Sequence, residues 1–84
     1  MEIVFQTVAW EDYTYWQKAD KNMLKKINEL IRVCTRTPFD GIGKPEPLKG
    51  NLTGWWSRRI NQEHRLVYRV EKKALHILQC RKHY

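Results

Sequence analysis

Glu46 stands between two prolines in "KPEPLK", which stiffen its backbone and place Lys44 and Lys49 on either side of it. A carboxylate held in advance beside cations suits a general base, because proton transfer is fastest when the group need not be oriented first. A solvated surface glutamate is the plainer reading of the same residue. The last two residues, His83 and Tyr84, close the stretch "CRKHY". Histidine exchanges protons near neutral pH, its ordinary pKa being about 6.5, so His83 at a strand end is a candidate for proton transfer. The other two histidines read differently. His64 falls in a turn and is expected to be exposed, and His76, between Leu75 and Ile77, reads as a structural strand residue.

Around these groups the chain is strongly basic, with sixteen Lys and Arg against nine Asp and Glu and a net charge of +7. Arg58, Arg59, Arg65, Arg69, Arg81 and Lys82 lie in the C-terminal third, interleaved with tryptophan and tyrosine. A basic sheet face of this kind suits single-stranded RNA, with phosphates held by cations and bases stacked on rings. Glu, His and Arg together match the needs of metal-independent RNA cleavage. A base must take the proton of the 2′-hydroxyl, an acid must supply one to the departing 5′-oxygen, and fixed cations must stabilise the phosphorane between them. The sequence groups no carboxylates into a magnesium site, which argues against a two-metal nuclease. The competing function is a basic RNA- or ribosome-binding module without chemistry, which blocks translation by occupancy.

The elements that must position these residues read in order. "EIVFQ" is a strand, and Thr7 is expected to cap a helix in which Ala9, Trp10, Tyr13 and Trp16 share a face, with Glu11 and Asp12 in its first turn. Asp20 is expected to cap a second helix whose apolar positions Met23, Leu24, Ile27, Leu30, Ile31 and Cys34 follow helical spacing. Pro38 ends that helix. The stretch from Thr37 to Gly54 holds all three prolines and all four glycines and reads as a long functional connection with one short strand near Leu48. Three strand-like runs follow, "WWSRRI", "RLVYRV" and "LHILQCRKHY", joined by polar turns. In the middle run Leu66, Tyr68 and Val70 form a core face, and Arg65, Val67 and Arg69 a basic one. The expected fold is α+β: two N-terminal helices packed on one face of a twisted, mainly antiparallel sheet.

At 84 residues the chain has room for one domain, 1–84, with a modest core. No run approaches the roughly 18 apolar residues of a membrane span, and "MEIVFQTVAW" lacks a basic leader, so a cytoplasmic location and no membrane partner are expected. Cys34 and Cys80 form no metal-binding or redox spacing and read as small buried hydrophobes.

The segments "GKPEPLK", "WSRRI", "EHRLVY" and the terminal "HY", within a match that also includes "WEDYTYWQKADKNMLKKINELI", closely resemble the YoeB toxins, a branch of the RelE superfamily of ribosome-dependent mRNA endonucleases. The resemblance implies a microbial-ribonuclease-like RelE fold and cleavage of mRNA in the ribosomal A site, leaving a 2′,3′-cyclic phosphate and a 5′-hydroxyl. On the family's pattern Glu46 is the general base, His83 the general acid and Arg65 the phosphorane stabiliser, while Tyr84 helps to hold substrate. Lys49 and Arg59 contact phosphates, and no cofactor or metal is required. Trp55 is assigned no role. The resemblance also implies a YefM-type antitoxin with an acidic C-terminal segment, and homodimers. Residues added after Tyr84 are expected to crowd the groove and abolish cleavage without unfolding the protein.

Overall fold

The computed structural model describes residues 1–83, and within it Asp20 organises the helical hairpin. Its N–H donates to Trp16 O at 3.1 Å, closing the first helix, and its Oδ1 accepts from the amides of Asn22 and Met23 at 3.0 and 3.3 Å, capping the second. One extended residue thus ends α1 (Thr7–Ala19) and begins α2 (Lys21–Arg36). At the other end of α1 the expectation for Thr7 is corrected. Gln6 is the cap residue, with no side-chain cap bond. Its N–H still pairs with Ile77 O at 2.9 Å while its carbonyl already accepts from Trp10 N, so strand becomes helix within one residue and Thr7 is already helical. Glu11 and Asp12 consequently stand in the second turn rather than the first.

A five-stranded sheet lies beneath the hairpin. β1 (Glu2–Phe5) precedes the helices. β2 (Glu46–Pro47), β3 (Trp56–Arg59), β4 (Arg65–Glu71) and β5 (Ala74–Gln79) follow, in spatial order β1-β5-β4-β3-β2. β1 runs parallel to β5, and every other pairing is antiparallel. The β4–β5 hairpin turns on Lys72 and Lys73, both left-handed at φ 52° and 61°, the twist that a two-residue loop requires. A bulge lets Val67 pair with Gln79 while Tyr68 pairs with Ile77.

Strand alternation and helix periodicity meet in a single core. Ile27, Leu30, Ile31 and Cys34 of α2 and Ala9 and Trp16 of α1 pack on Leu66, Tyr68, Leu75 and Ile77 of the sheet. Each large apolar side chain buried here contributes roughly 1.5–3 kcal/mol. Met23 and Leu24 sit at the rim of this cluster. Trp10 differs from expectation: it is 52% exposed, meeting Phe5 edge-on and stacking on Tyr13 at the rim of the core. Both cysteines are free and buried, as their spacing implied. Among the described residues, no helix is long and apolar enough to cross a membrane.

Candidate active site

The pairing register decides which side chains share the sheet face away from the helices. Trp56 pairs with Tyr68 and Arg58 with Leu66, which puts these four on the helix side. Ser57 pairs with Val67 and Arg59 with Arg65, and alternation turns these to the opposite face, which is open at Arg59 and covered at Ser57, Val67 and Arg65. Glu46 pairs with Ser57, so its carboxylate joins that face from the edge strand. Prolines on either side are tolerated there because an edge strand leaves some amides outside the ladder. Glu46, Arg59 and Lys49 are exposed, whereas Arg65 is only 8% exposed. Arg65 Nη1 donates to Asn61 O, Gln62 O and His64 O at 2.7, 3.1 and 3.1 Å. These bonds to the preceding turn set the plane of its guanidinium.

The basic open face is narrower than the sequence implied. Arg58, expected among the surface cations, belongs to the other side and is fully buried. The guanidinium donates to Ile42 O, Thr37 O and Asp40 O at 2.7, 2.5 and 2.6 Å, and its Nε to Tyr68 Oη at 3.1 Å. Tyr68 in turn donates to Pro38 O at 2.6 Å. This cation therefore organises the loop after α2 instead of meeting a ligand. Gly43 fits where it does because a Cβ there would lie 3.1 Å from Leu30 Cδ2, Arg58 Cβ and Arg59 O, at a φ of +84°. Its carbonyl accepts from Arg59 N at 2.6 Å, which delivers the chain into β2 and fixes the approach to Glu46. Arg81 also leaves the open face and lies 3.6 Å over the Tyr15 ring of α1. On the open face Arg69 covers Trp55 at 4.6 Å and pairs with Glu71 at 3.3 Å.

The final run is not a strand to its end. β5 stops at Gln79 because Cys80 turns its backbone groups to α1: its N–H donates to Asp12 Oδ2 at 3.1 Å and its carbonyl accepts from Trp16 Nε1 at 2.9 Å. Burial pushes the Asp12 carboxyl above its ordinary range, partly offset by that Cys80 amide and by Arg81. Lys82 follows in the left-handed region, φ 64°, with its N–H donating to His64 Nδ1 at 2.7 Å and its carbonyl accepting from Arg65 N at 3.1 Å. His64 is therefore buried, contrary to expectation, with its ring edge-on to Trp16 at 4.8 Å.

The structure thus places Glu46, Arg59 and Arg65 on one face by register, and pins the residue before His83 to the backbone of Arg65. Lys49 stands just beyond β2, capping the short turn Gly50–Leu52. Tyr84 lies outside the described residues. Asp12, Trp16, Arg58 and His64, which hold the site's loop and tail, were missed by sequence reasoning. For Arg58 a signal existed, since alternation through "WSRRI" puts it on the face of Trp56. Among the described residues, no three His, Cys, Asp or Glu side chains group closely enough to hold a metal ion.

Two helices packed against a five-stranded mixed sheet is the architecture of the RelE-like toxins. Within that class the chain belongs to the YoeB-like toxins of bacterial type II toxin–antitoxin systems, whose family profile matches residues 5–84. It is 58% identical over 84 residues to Toxin YoeB of Escherichia coli K12, covering 100% of both chains. A YoeB/ParE toxin from Agrobacterium tumefaciens superposes with a TM-score of 0.97 at 55% identity, covering 100% of both chains. The Staphylococcus aureus YoeB–YefM complex matches at a TM-score of 0.92 and 53% identity, over 100% of this chain and 98% of that one. YoeB of the same organism is also known as a dimer, matching at 0.93 and 54% identity over the same shares. Toxins of this family are endoribonucleases of the RelE superfamily.

Proposed function

We propose that this toxin acts as a single domain that cuts mRNA in the ribosomal A site by metal-independent acid–base chemistry, and that this cleavage inhibits translation. The observation that carries the reading is the shared open face of Glu46, Arg59 and Arg65, with the His83 segment bonded to the Arg65 backbone. The Glu46 carboxylate takes the proton of a 2′-hydroxyl, and the freed oxygen attacks the adjacent phosphorus. Arg65, already oriented by the turn carbonyls, stabilises the charge that gathers on the phosphorane. His83, as imidazolium, gives its proton to the 5′-oxygen as the phosphorus–oxygen bond breaks. The products are a 2′,3′-cyclic phosphate and a 5′-hydroxyl, and no cofactor enters the balance. Lys49 and Arg59 contact flanking phosphates, and Tyr84 helps to hold substrate.

The partner at rest is a YefM-type antitoxin whose acidic segment meets the basic face, in keeping with the staphylococcal complex. The toxin pairs with a second copy, as the staphylococcal dimer does, and works in the cytoplasm. Primer extension on a message held by translating ribosomes tests the reading. New 5′ ends that carry hydroxyls and can be phosphorylated by kinase are the expected result. Stalled ribosomes on an uncut message would support an occupancy blocker instead.

A further inference from the structure

We infer that His64 is the positioning residue that sets the place of His83, acting as a side-chain substitute for a missing backbone acceptor. The inference rests on the acid role proposed for His83. Where the chain leaves β5, Lys82 faces His64 and Arg65 as a bridge residue would, and one half of that bridge is ordinary: Arg65 N donates to Lys82 O at 3.1 Å. The other half lacks its usual acceptor. The His64 carbonyl is occupied by Ile60 N at 3.0 Å, Asn61 N at 3.4 Å and Arg65 Nη1 at 3.1 Å. The imidazole takes over, its Nδ1 accepting from Lys82 N at 2.7 Å. A ring nitrogen can accept only with its lone pair free, so the proton sits on Nε2, which faces Glu63 Oε1 at 3.6 Å.

The rest of the surroundings keeps that ring from turning. Asn61 Oδ1 accepts from the amides of Glu63 and His64 at 2.9 and 2.7 Å, closing the turn beneath it. Trp16 meets the ring edge-on at 4.8 Å and spends its Nε1 proton on Cys80 O, two residues before Lys82. Lys82 keeps a left-handed backbone that a residue with a Cβ adopts only when held. One residue thereby ties together the Arg65 guanidinium, through its carbonyl, and the segment carrying His83, through its ring. The candidate acid and the candidate phosphorane stabiliser are thus referred to the same fixed point.

Two variants separate positioning from packing. His64→Asn keeps an acceptor on Cγ but loses the aromatic contact with Trp16, whereas His64→Leu keeps apolar bulk and offers no acceptor. The readouts are Lys82 amide exchange by NMR and single-turnover cleavage on programmed ribosomes, with melting temperature as the control. The inference expects Leu to speed Lys82 exchange and slow cleavage on the order of 100-fold at saturating toxin, as misplacement of a reacting group does, with apparent ribosome affinity within about threefold. Asn should retain Lys82 protection and cleave within about tenfold of wild type, even where it melts below Leu. Unchanged Lys82 exchange in Leu, wild-type cleavage by Leu, or activities that simply follow melting temperature would each overturn it. A His83→Gln control that cleaves like wild type, while Lys82 exchange still separates Asn from Leu, overturns the acid role and with it the catalytic purpose of the clamp. In that case the clamp itself would stand.

Discussion

Replacing Tyr68 by phenylalanine removes one oxygen from the interior and leaves the packing in place. Tyr68 is fully buried, and its hydroxyl accepts from Arg58 Nε at 3.1 Å while donating to Pro38 O at 2.6 Å. The variant strips one partner from a buried cation and one from a buried carbonyl. A hydrogen bond to a charged group is worth about 1.5–3 kcal/mol, and leaving a neutral group short costs about 1–3 kcal/mol. Arg58 retains the carbonyls of Ile42, Thr37 and Asp40, which moderates the sum. The expected loss is therefore about 2–3 kcal/mol, below the roughly 3–5 kcal/mol expected when a buried charged partner such as Arg58 is itself removed. In a domain of this size that lowers the melting temperature by roughly 10–20 °C. Urea unfolding should show a lower midpoint at constant slope, and the amide of Arg59, bonded to Gly43 O, should exchange faster as the loop before Glu46 loosens. A loss under about 0.5 kcal/mol, or one without faster exchange at Arg59, would refute the clamp.

Alkaline stability follows from the same burial. Desolvation pushes the Tyr68 phenol up to about 12 from an ordinary 10.0 and the Cys80 thiol up to about 12 from an ordinary 9.0, the latter aided by the charge of Asp12. The unfolded chain releases these protons first, so this part of the stability is whole below pH 9 and declines from there through about pH 12. Denaturant midpoints measured across that range should fall, and Tyr68→Phe should flatten the part of the slope above pH 10. Asp20→Ala removes the acceptor for the Asn22 and Met23 amides and should cost about 1 kcal/mol in unfolding free energy, with cleavage at saturating toxin unchanged.

The parts of this molecule that were legible in its sequence obey local rules. α2 could be read because its apolar residues recur at helical spacing and Asp20 and Pro38 bound it. The face of Arg65 followed from alternation along its strand, and the stiff setting of Glu46 from its two prolines, whereas nothing local separated Arg59 from its buried neighbour Arg58 except the alternation through "WSRRI". The parts that could not be read depend on partners far along the chain. Whether Arg58 is a surface cation or a buried one is decided by carbonyls 16 to 21 residues away, which no local pattern announces. The end of β5 is decided by Asp12 and Trp16, 68 and 64 residues distant, which capture the backbone of Cys80. His64 looked like an exposed turn residue because its role appears only once the terminal segment folds back beside it.

The central claim is that Glu46 and His83 exchange protons with the substrate, and single-turnover cleavage on programmed ribosomes at saturating toxin tests it most directly. Glu46→Gln and His83→Gln should each bind like wild type and cleave at least about 100-fold more slowly, the usual contribution of general acid–base catalysis. Rates for both variants within about threefold of wild type, at equal occupancy, would contradict the account.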